Sequence, residues 1–136
     1  MFGFSIPHNS AVYAPIAVSL GAIPGALSRY YITIWLAQGL GTHFPFGTFV
    51  INLSGALLIG FFATLANAQI MISPDLQRLV ITGFLGSYTT FSTYTLDTAG
   101  LLRSGNRIKA LFYWIGSFVL GGVCLEMGIA LARFMR

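Results

Sequence analysis

The stretch from Leu79 to Leu96, LVITGFLGSYTTFSTYTL, carries the side chains most suited to chemistry. Nine of its eighteen residues are apolar; the others are Gly83, Gly86, Ser87 and the Ser or Thr residues at 82, 89, 90, 92, 93 and 95. In hydrocarbon an unsatisfied polar group costs several kcal/mol, so these hydroxyls must face protein, water or an ion. Gly86 through Thr90 also join a glycine to side chains that compete for backbone hydrogen bonds, which predicts a break in the helix. A break at mid-membrane depth exposes carbonyls and amides, and is tolerated around a buried ion or a polar cavity. The competing expectation is a continuous helix whose hydroxyls bond back to preceding carbonyls and pack closely.

Asn52 lies in FGTFVINLSGALLIG and shares a helix face with Thr48, Gly55 and Ala56. Its amide carries two N–H donors and no net charge, so it can hold a desolvated anion without trapping it, or glue two helices together. Phe91 and Tyr94, at i and i+3, lie on one face, and the positive edge of an aromatic ring can face an anion. Tyr113, Ser117 and Gly121 form an i, i+4, i+8 stripe that reads as a donor track or a packing seam. Arg29 is expected to reach a vestibule or a carbonyl, because an arginine at a helix centre costs about +2.5–3.5 kcal/mol on insertion. Gly21 and Gly25 form a small-xxx-small contact, and Glu126 is expected near an interface, paired with Arg133 or a partner chain.

Catalytic constellations are missing. There is no His/Cys/carboxylate cluster, no nucleophile with a nearby base and no glycine loop for a nucleotide. His8 and His43 fall in flanking segments, and the single cysteine, Cys124, excludes a disulfide within one chain.

The elements that position these residues follow from composition. Of 136 residues, 56% are hydrophobic and 7% charged, against about 25% charged in an ordinary soluble domain. The balance excludes a soluble enzyme and a disordered tail. The net charge of +4 comes from scattered residues, so no nucleic-acid partner is expected. Residues 30–74 hold no Asp, Glu, Lys or Arg, and a membrane-spanning helix needs about 20 apolar residues. The reading is an all-α integral membrane protein, a single domain over 1–136 with four spans at 12–38, 45–70, 76–97 and 107–134, the third broken near its middle. Ser73-Pro74-Asp75 reads as a helix start, with Ser73 as N-cap. The first eleven residues lack the Lys or Arg of a secretory signal.

Four spans put both termini on one side. That side has Arg78, Arg133 and Arg136; the other has Arg103, Arg107 and Lys109, with Arg29 as a possible fourth. The positive-inside rule then sets no clear orientation, and one chain is small for a transport route. Either a weak bias fixes one topology, or the chain pairs with an inverted copy of itself.

Three stretches, GAIPGALSRY at 21–30, GTFVINLSGALLIG at 47–60 and GFLGSYTTFSTY at 83–94, resemble the Fluc/CrcB family of small fluoride channels. The resemblance implies an antiparallel, dual-topology homodimer in the cell membrane, exporting cytoplasmic fluoride passively. It places Asn52, Thr48, Phe91, Tyr94, Ser92, Thr93, Tyr113 and Ser117 along the fluoride pathway, and Arg29 at a vestibule or in a structural role. A structural sodium ion at the dimer centre would be held by the backbone carbonyls of Gly86 and Thr89. Tyr94 stands where the family usually has a second phenylalanine, adding a hydroxyl to the expected pore wall. Gly121 stands where a third hydroxyl of the fourth-helix track would be. The rival readings are a small proton-coupled multidrug exporter, which would need a mid-membrane carboxylate in its first helix, and a non-transporting assembly subunit.

Overall fold

The computed structural model describes residues 10–68 and 73–135. The expectations for the first nine residues, His8 among them, and for the end of the second span at 69–70 fall outside the described residues. Helix α1 runs Ser10–Leu40 and continues through Pro15 and Pro24. Helix α2 runs Phe46–Asn67. Next comes α3, an α-turn Pro74–Gln77 that passes into a π-wound stretch Arg78–Leu85 and a last turn Gly86–Tyr88. Helix α4 is Phe91–Arg103 and α5 is Arg107–Phe134. Thirty-one residues at 1.5 Å each give α1 a length of roughly 46 Å, beyond the ~30 Å hydrocarbon core.

Two of these helices, Phe46–Asn67 and Arg107–Phe134, are long and apolar enough to cross a bilayer. Large apolar side chains point outward along α5, with Phe118 82% and Ile108 78% exposed. Three of the buried residues, Ile51, Leu85 and Tyr88, form a small core backed by Ile32, Leu58, Ile59, Phe62 and Phe84. That distribution inverts a soluble protein's and suits an apolar solvent.

Glycines set how closely the helices approach. α1 lies along the π-wound part of α3, and α2 lies along α5. A Cβ at Gly21 or Gly25 would collide with the Leu79 or Phe84 carbonyl, and one at Gly83 with the Val18 carbonyl. The Gly21/Gly25 seam expected from sequence is therefore a backbone-to-backbone contact. An equivalent seam joins α2 to α5, where Gly60 abuts the Leu125 carbonyl and Gly128 the Leu57 carbonyl. Gly41 (φ 82°) and Gly105 (φ 79°) take the left-handed conformation that turns the chain after α1 and after α4.

Two boundaries differ from the sequence reading. The third span extends to Arg103, because Asp97 does not end it: the Tyr113 hydroxyl donates to Asp97 Oδ2 at 3.3 Å inside the packed region. Ser73 occupies the N-cap position in extended conformation with Pro74 at N1, yet its side chain makes no capping bond. Asp75 instead pairs with Arg78, one turn on, at 2.8 Å. This is the one ion pair among the described residues, so the expected Glu126–Arg133 pair is absent; Glu126 lies exposed on α5.

Candidate functional site around the break in the third span

The break is two residues long. Thr89 (φ −82°, ψ 159°) and Thr90 (φ −152°, ψ 119°) are both extended, separating Tyr88 from Phe91. The continuous-helix alternative is therefore excluded. Thr89 N–H makes the last bond of α3, to the Leu85 carbonyl at 3.1 Å. Thr90 then serves α4 as N-cap: its Oγ1 accepts from the Thr93 N–H at 3.2 Å. The Thr90 hydroxyl also donates to Thr93 Oγ1 at 3.0 Å and lies 3.3 Å from Ser92 Oγ. These hydroxyls satisfy one another at the point where backbone partners run out.

Asn52 closes the break from α2. Its Oδ1 accepts the Thr90 N–H at 2.9 Å and its Nδ2 donates to the Thr90 carbonyl at 3.0 Å. The side-chain amide thus takes the place of a backbone neighbour for a residue that has none. One N–H of the amide donates to the Thr90 carbonyl, and the amide has a second N–H. On the opposite side of the break, Arg29 Nη1 reaches the Thr89 carbonyl at 3.5 Å. The arginine expected to find a carbonyl has found one, 60 residues away in the chain. Ser87 and Tyr88 anchor the end of α3: Ser87 Oγ donates to the Ala22 carbonyl at 2.9 Å, and the Tyr88 hydroxyl lies 2.9 Å from Ser54 Oγ.

Aromatic rings lead away from the break. Phe91 is 79% exposed and its ring centroid lies 5.8 Å from that of Tyr94. Tyr94 lies 5.3 Å from Tyr113, and Tyr113 is fully buried, edge-on to Phe44 at 5.5 Å. The Tyr94 hydroxyl donates to the Trp114 carbonyl of α5 at 2.8 Å. Ser117, one turn beyond Tyr113, has a buried Oγ with no hydrogen-bond partner. Gly121 continues the stripe into open space, with nothing within 4 Å of a Cβ built there.

Two cavities meet at Thr33, Thr48 and Thr93. The larger, about 760 Å³, is lined among others by His43, Phe44, Asp97, Arg103 and Lys109. The smaller, about 470 Å³, is bounded by Arg29, Thr33, Ile51 and Thr90. Thr48 is 4% exposed and sits where both cavities touch α2. Thr48 and Thr93 border both cavities, Asn52 reaches the break through Thr90, and Tyr94 and Tyr113 pack ring against ring beside Phe44. Ser92 and Phe91 stand at the open face of the protomer.

Asp97 and Phe44 border the larger cavity and were not singled out from the sequence. Asp97 stands at the end of the span expected at 76–97, although its place one turn after Tyr94 on the same face was a usable signal.

The carbonyls of Gly86 and Thr89 stand at the unwound end of α3. Unwound backbone carbonyls are the donor type that broken helices offer to sodium. In an uninterrupted helix the Gly86 carbonyl would accept the Thr90 N–H, which here goes to Asn52. Gly86 is exposed, and a Cβ on it would meet only the Ile81 carbonyl, at 3.8 Å. The two carbonyls are of the donor type a hard monovalent cation takes, and the Arg29 guanidinium already lies against one side of the Thr89 oxygen.

Residues 16–129 match the family described as CrcB-like protein, Camphor Resistance (CrcB). The chain belongs to the CrcB-like family. Over 120 residues it is 55% identical to the fluoride-specific ion channel FluC of Trichormus variabilis, covering 88% of each chain. It is 51% identical over 128 residues to the protein of that name from Synechococcus sp., covering 94% of this chain and 98% of the relative. The corresponding Synechocystis sp. protein is 46% identical over 124 residues, 91% and 95% of the two chains. The family match covers α1 to most of α5, so the broken span and the Asn52 clamp lie within the shared region.

Proposed function

We propose that this protein is a fluoride-selective channel that exports cytoplasmic fluoride passively, working as an antiparallel homodimer in the cell membrane with four spans per chain. The observation that carries the reading is the clamped break. A Thr/Ser-rich interruption of a helix, held open by Asn52, offers neutral donors in a protein whose outer face is apolar. Fluoride is small and strongly hydrated, so a conducting site must replace its water while binding weakly enough to release it. Neutral donors and ring edges meet that requirement better than an array of cations. The free N–H of Asn52, the hydroxyls of Thr48, Ser92, Thr93 and Ser117 and the rings of Phe91, Tyr94 and Tyr113 are the proposed pathway, the Tyr113 hydroxyl being held by Asp97. The relatives' name, fluoride-specific ion channel, supports the same reading. So does the absence of any Asp or Glu from α1, where a proton-coupled exporter would need one.

The dimer is proposed from what one chain leaves open. Phe91 at 79% exposure, the exposed face of α5 and the exposed Gly86 all call for a covering surface. Balanced charge at the two ends of the spans suits a second copy inserted upside down. A sodium ion bound to the Gly86 and Thr89 carbonyls would tie the two breaks together at the centre. Arg29 would then orient the Thr89 carbonyl from inside its own chain.

Liposomes loaded with potassium fluoride test the function directly. After addition of a potassium ionophore, a fluoride electrode should record rapid efflux, and a chloride-loaded set should release nothing. Silence in both sets from well-folded protein would overturn the channel reading, and equal release would overturn its selectivity.

A further inference from the structure

We propose that Tyr94 is a positioning residue: its hydroxyl latches α4 to α5 and thereby holds the Phe91 ring in place. The inference rests on the channel reading for what Phe91 does, and on geometry alone for the latch.

α4 has no buried residue along its thirteen positions. Its packed face, Tyr94, Asp97, Thr98 and Ala99, is only half-buried, so directional bonds add to what packing supplies. Four such bonds attach it to its neighbours, at three points. Asn52 holds its N-terminal end through Thr90, the Tyr113 hydroxyl reaches Asp97, and the Tyr94 hydroxyl donates to the Trp114 carbonyl. The last is the shorter of the two bonds to α5, 2.8 Å against 3.3 Å. It costs α5 no helical bond, because a carbonyl oxygen has two lone pairs and the helical N–H uses one.

Phe91 depends on this latch. Its ring is 79% exposed in the protomer, and the aromatic neighbour it touches is Tyr94, at 5.8 Å and 42°. The Tyr94 ring is in turn set against Tyr113, which is fully buried. The rotation of α4 that aims Phe91 is therefore fixed through Tyr94, by ring contact on one side and by the hydroxyl on the other. A hydroxyl that donates to Trp114 is not available to an anion, so the hydroxyl positions and the ring is what faces the pathway. A phenylalanine would supply the ring without the tie.

The test uses the reconstituted dimer with Tyr94→Phe, Phe91→Leu and the double variant. Hydrogen exchange of α4 amides and fluoride efflux at limiting and saturating fluoride are measured for each. Loss of one net hydrogen bond corresponds to roughly a 2–10-fold change. Tyr94→Phe should speed α4 exchange by about that factor and lower saturating efflux comparably, with half-saturation unmoved. In the Phe91→Leu background its effect on efflux should vanish, because the two act as one unit. Unchanged exchange overturns the latch. A raised half-saturation with unchanged exchange makes the hydroxyl a fluoride ligand instead, and additive efflux losses overturn the action through Phe91. Exchange needs no fluoride, so wild-type protein that passes none would remove the channel reading and the Phe91 role while the exchange arm still decides the latch.

Discussion

Replacing Asn52 with alanine removes two hydrogen bonds from a single residue. Thr90 loses the acceptor of its N–H at 2.9 Å and the donor to its carbonyl at 3.0 Å. Each buried backbone group left unpaired costs about 1–3 kcal/mol. Thr90 borders a cavity of about 470 Å³. Water entering that cavity can repair part of the loss, which places the total near the low end, about 2–3 kcal/mol for the pair. At 1.4 kcal/mol per decade, a conducting arrangement destabilised by that amount is populated roughly 30–150-fold less. Fluoride efflux from liposomes at matched protein density should fall by that factor. Hydrogen exchange at residues 90–93 should rise with it, because the N-cap of α4 is no longer held. Asn52→Asp is a sharper version: the carboxylate still accepts the Thr90 N–H, but sets an oxygen against the Thr90 carbonyl. Efflux within twofold of wild type in Asn52→Ala would refute the clamp. A large loss with unchanged exchange at 90–93 would make Asn52 a ligand and nothing more.

Three further outcomes follow from the packing and the break. Gly128→Ala puts a methyl group into the Leu57 carbonyl across the α2–α5 seam, and should cost about 1–3 kcal/mol, seen as a lower thermal midpoint of the purified dimer. Gly121→Ser, where nothing lies within 4 Å, should leave that midpoint unchanged and keep fluoride efflux within about twofold; a large drop in either would show that Gly121 is packed against a partner. Exchanging sodium for N-methylglucamine during purification should weaken the dimer, read by its dissociation in detergent, if the Gly86 and Thr89 carbonyls bind sodium; dimers indifferent to the exchange would remove sodium from the account.

How much of this was legible beforehand depended on the range of each interaction. The break could be read because its cause is local: Gly86, Ser87, Thr89 and Thr90 weaken a helix wherever they stand together. The clamp could not, since Asn52 and Thr90 are 38 residues apart and a buried amide is equally at home between two helices. Asp97 was misread as the end of the third span because a charge near an interface usually marks one. The helix continues past it, since the Tyr113 hydroxyl supplies a partner inside the packed region. The Tyr94 latch left no trace in the sequence either. Its acceptor is the backbone carbonyl of Trp114, and every residue has a carbonyl. The π-wound stretch at 78–85 is of the same kind: it accompanies the close approach of Gly21 and Gly83, which depends on three-dimensional register.

Current through the protein in a planar bilayer tests the central claim most directly. With a tenfold fluoride gradient, equal chloride on both sides and a counter-cation the protein does not pass, a passive fluoride-selective channel reverses at the fluoride equilibrium potential, about 59 mV. A fluoride-selective channel gives that value, unchanged when chloride is replaced by a large anion. A reversal potential near zero, or one that follows chloride, would contradict it.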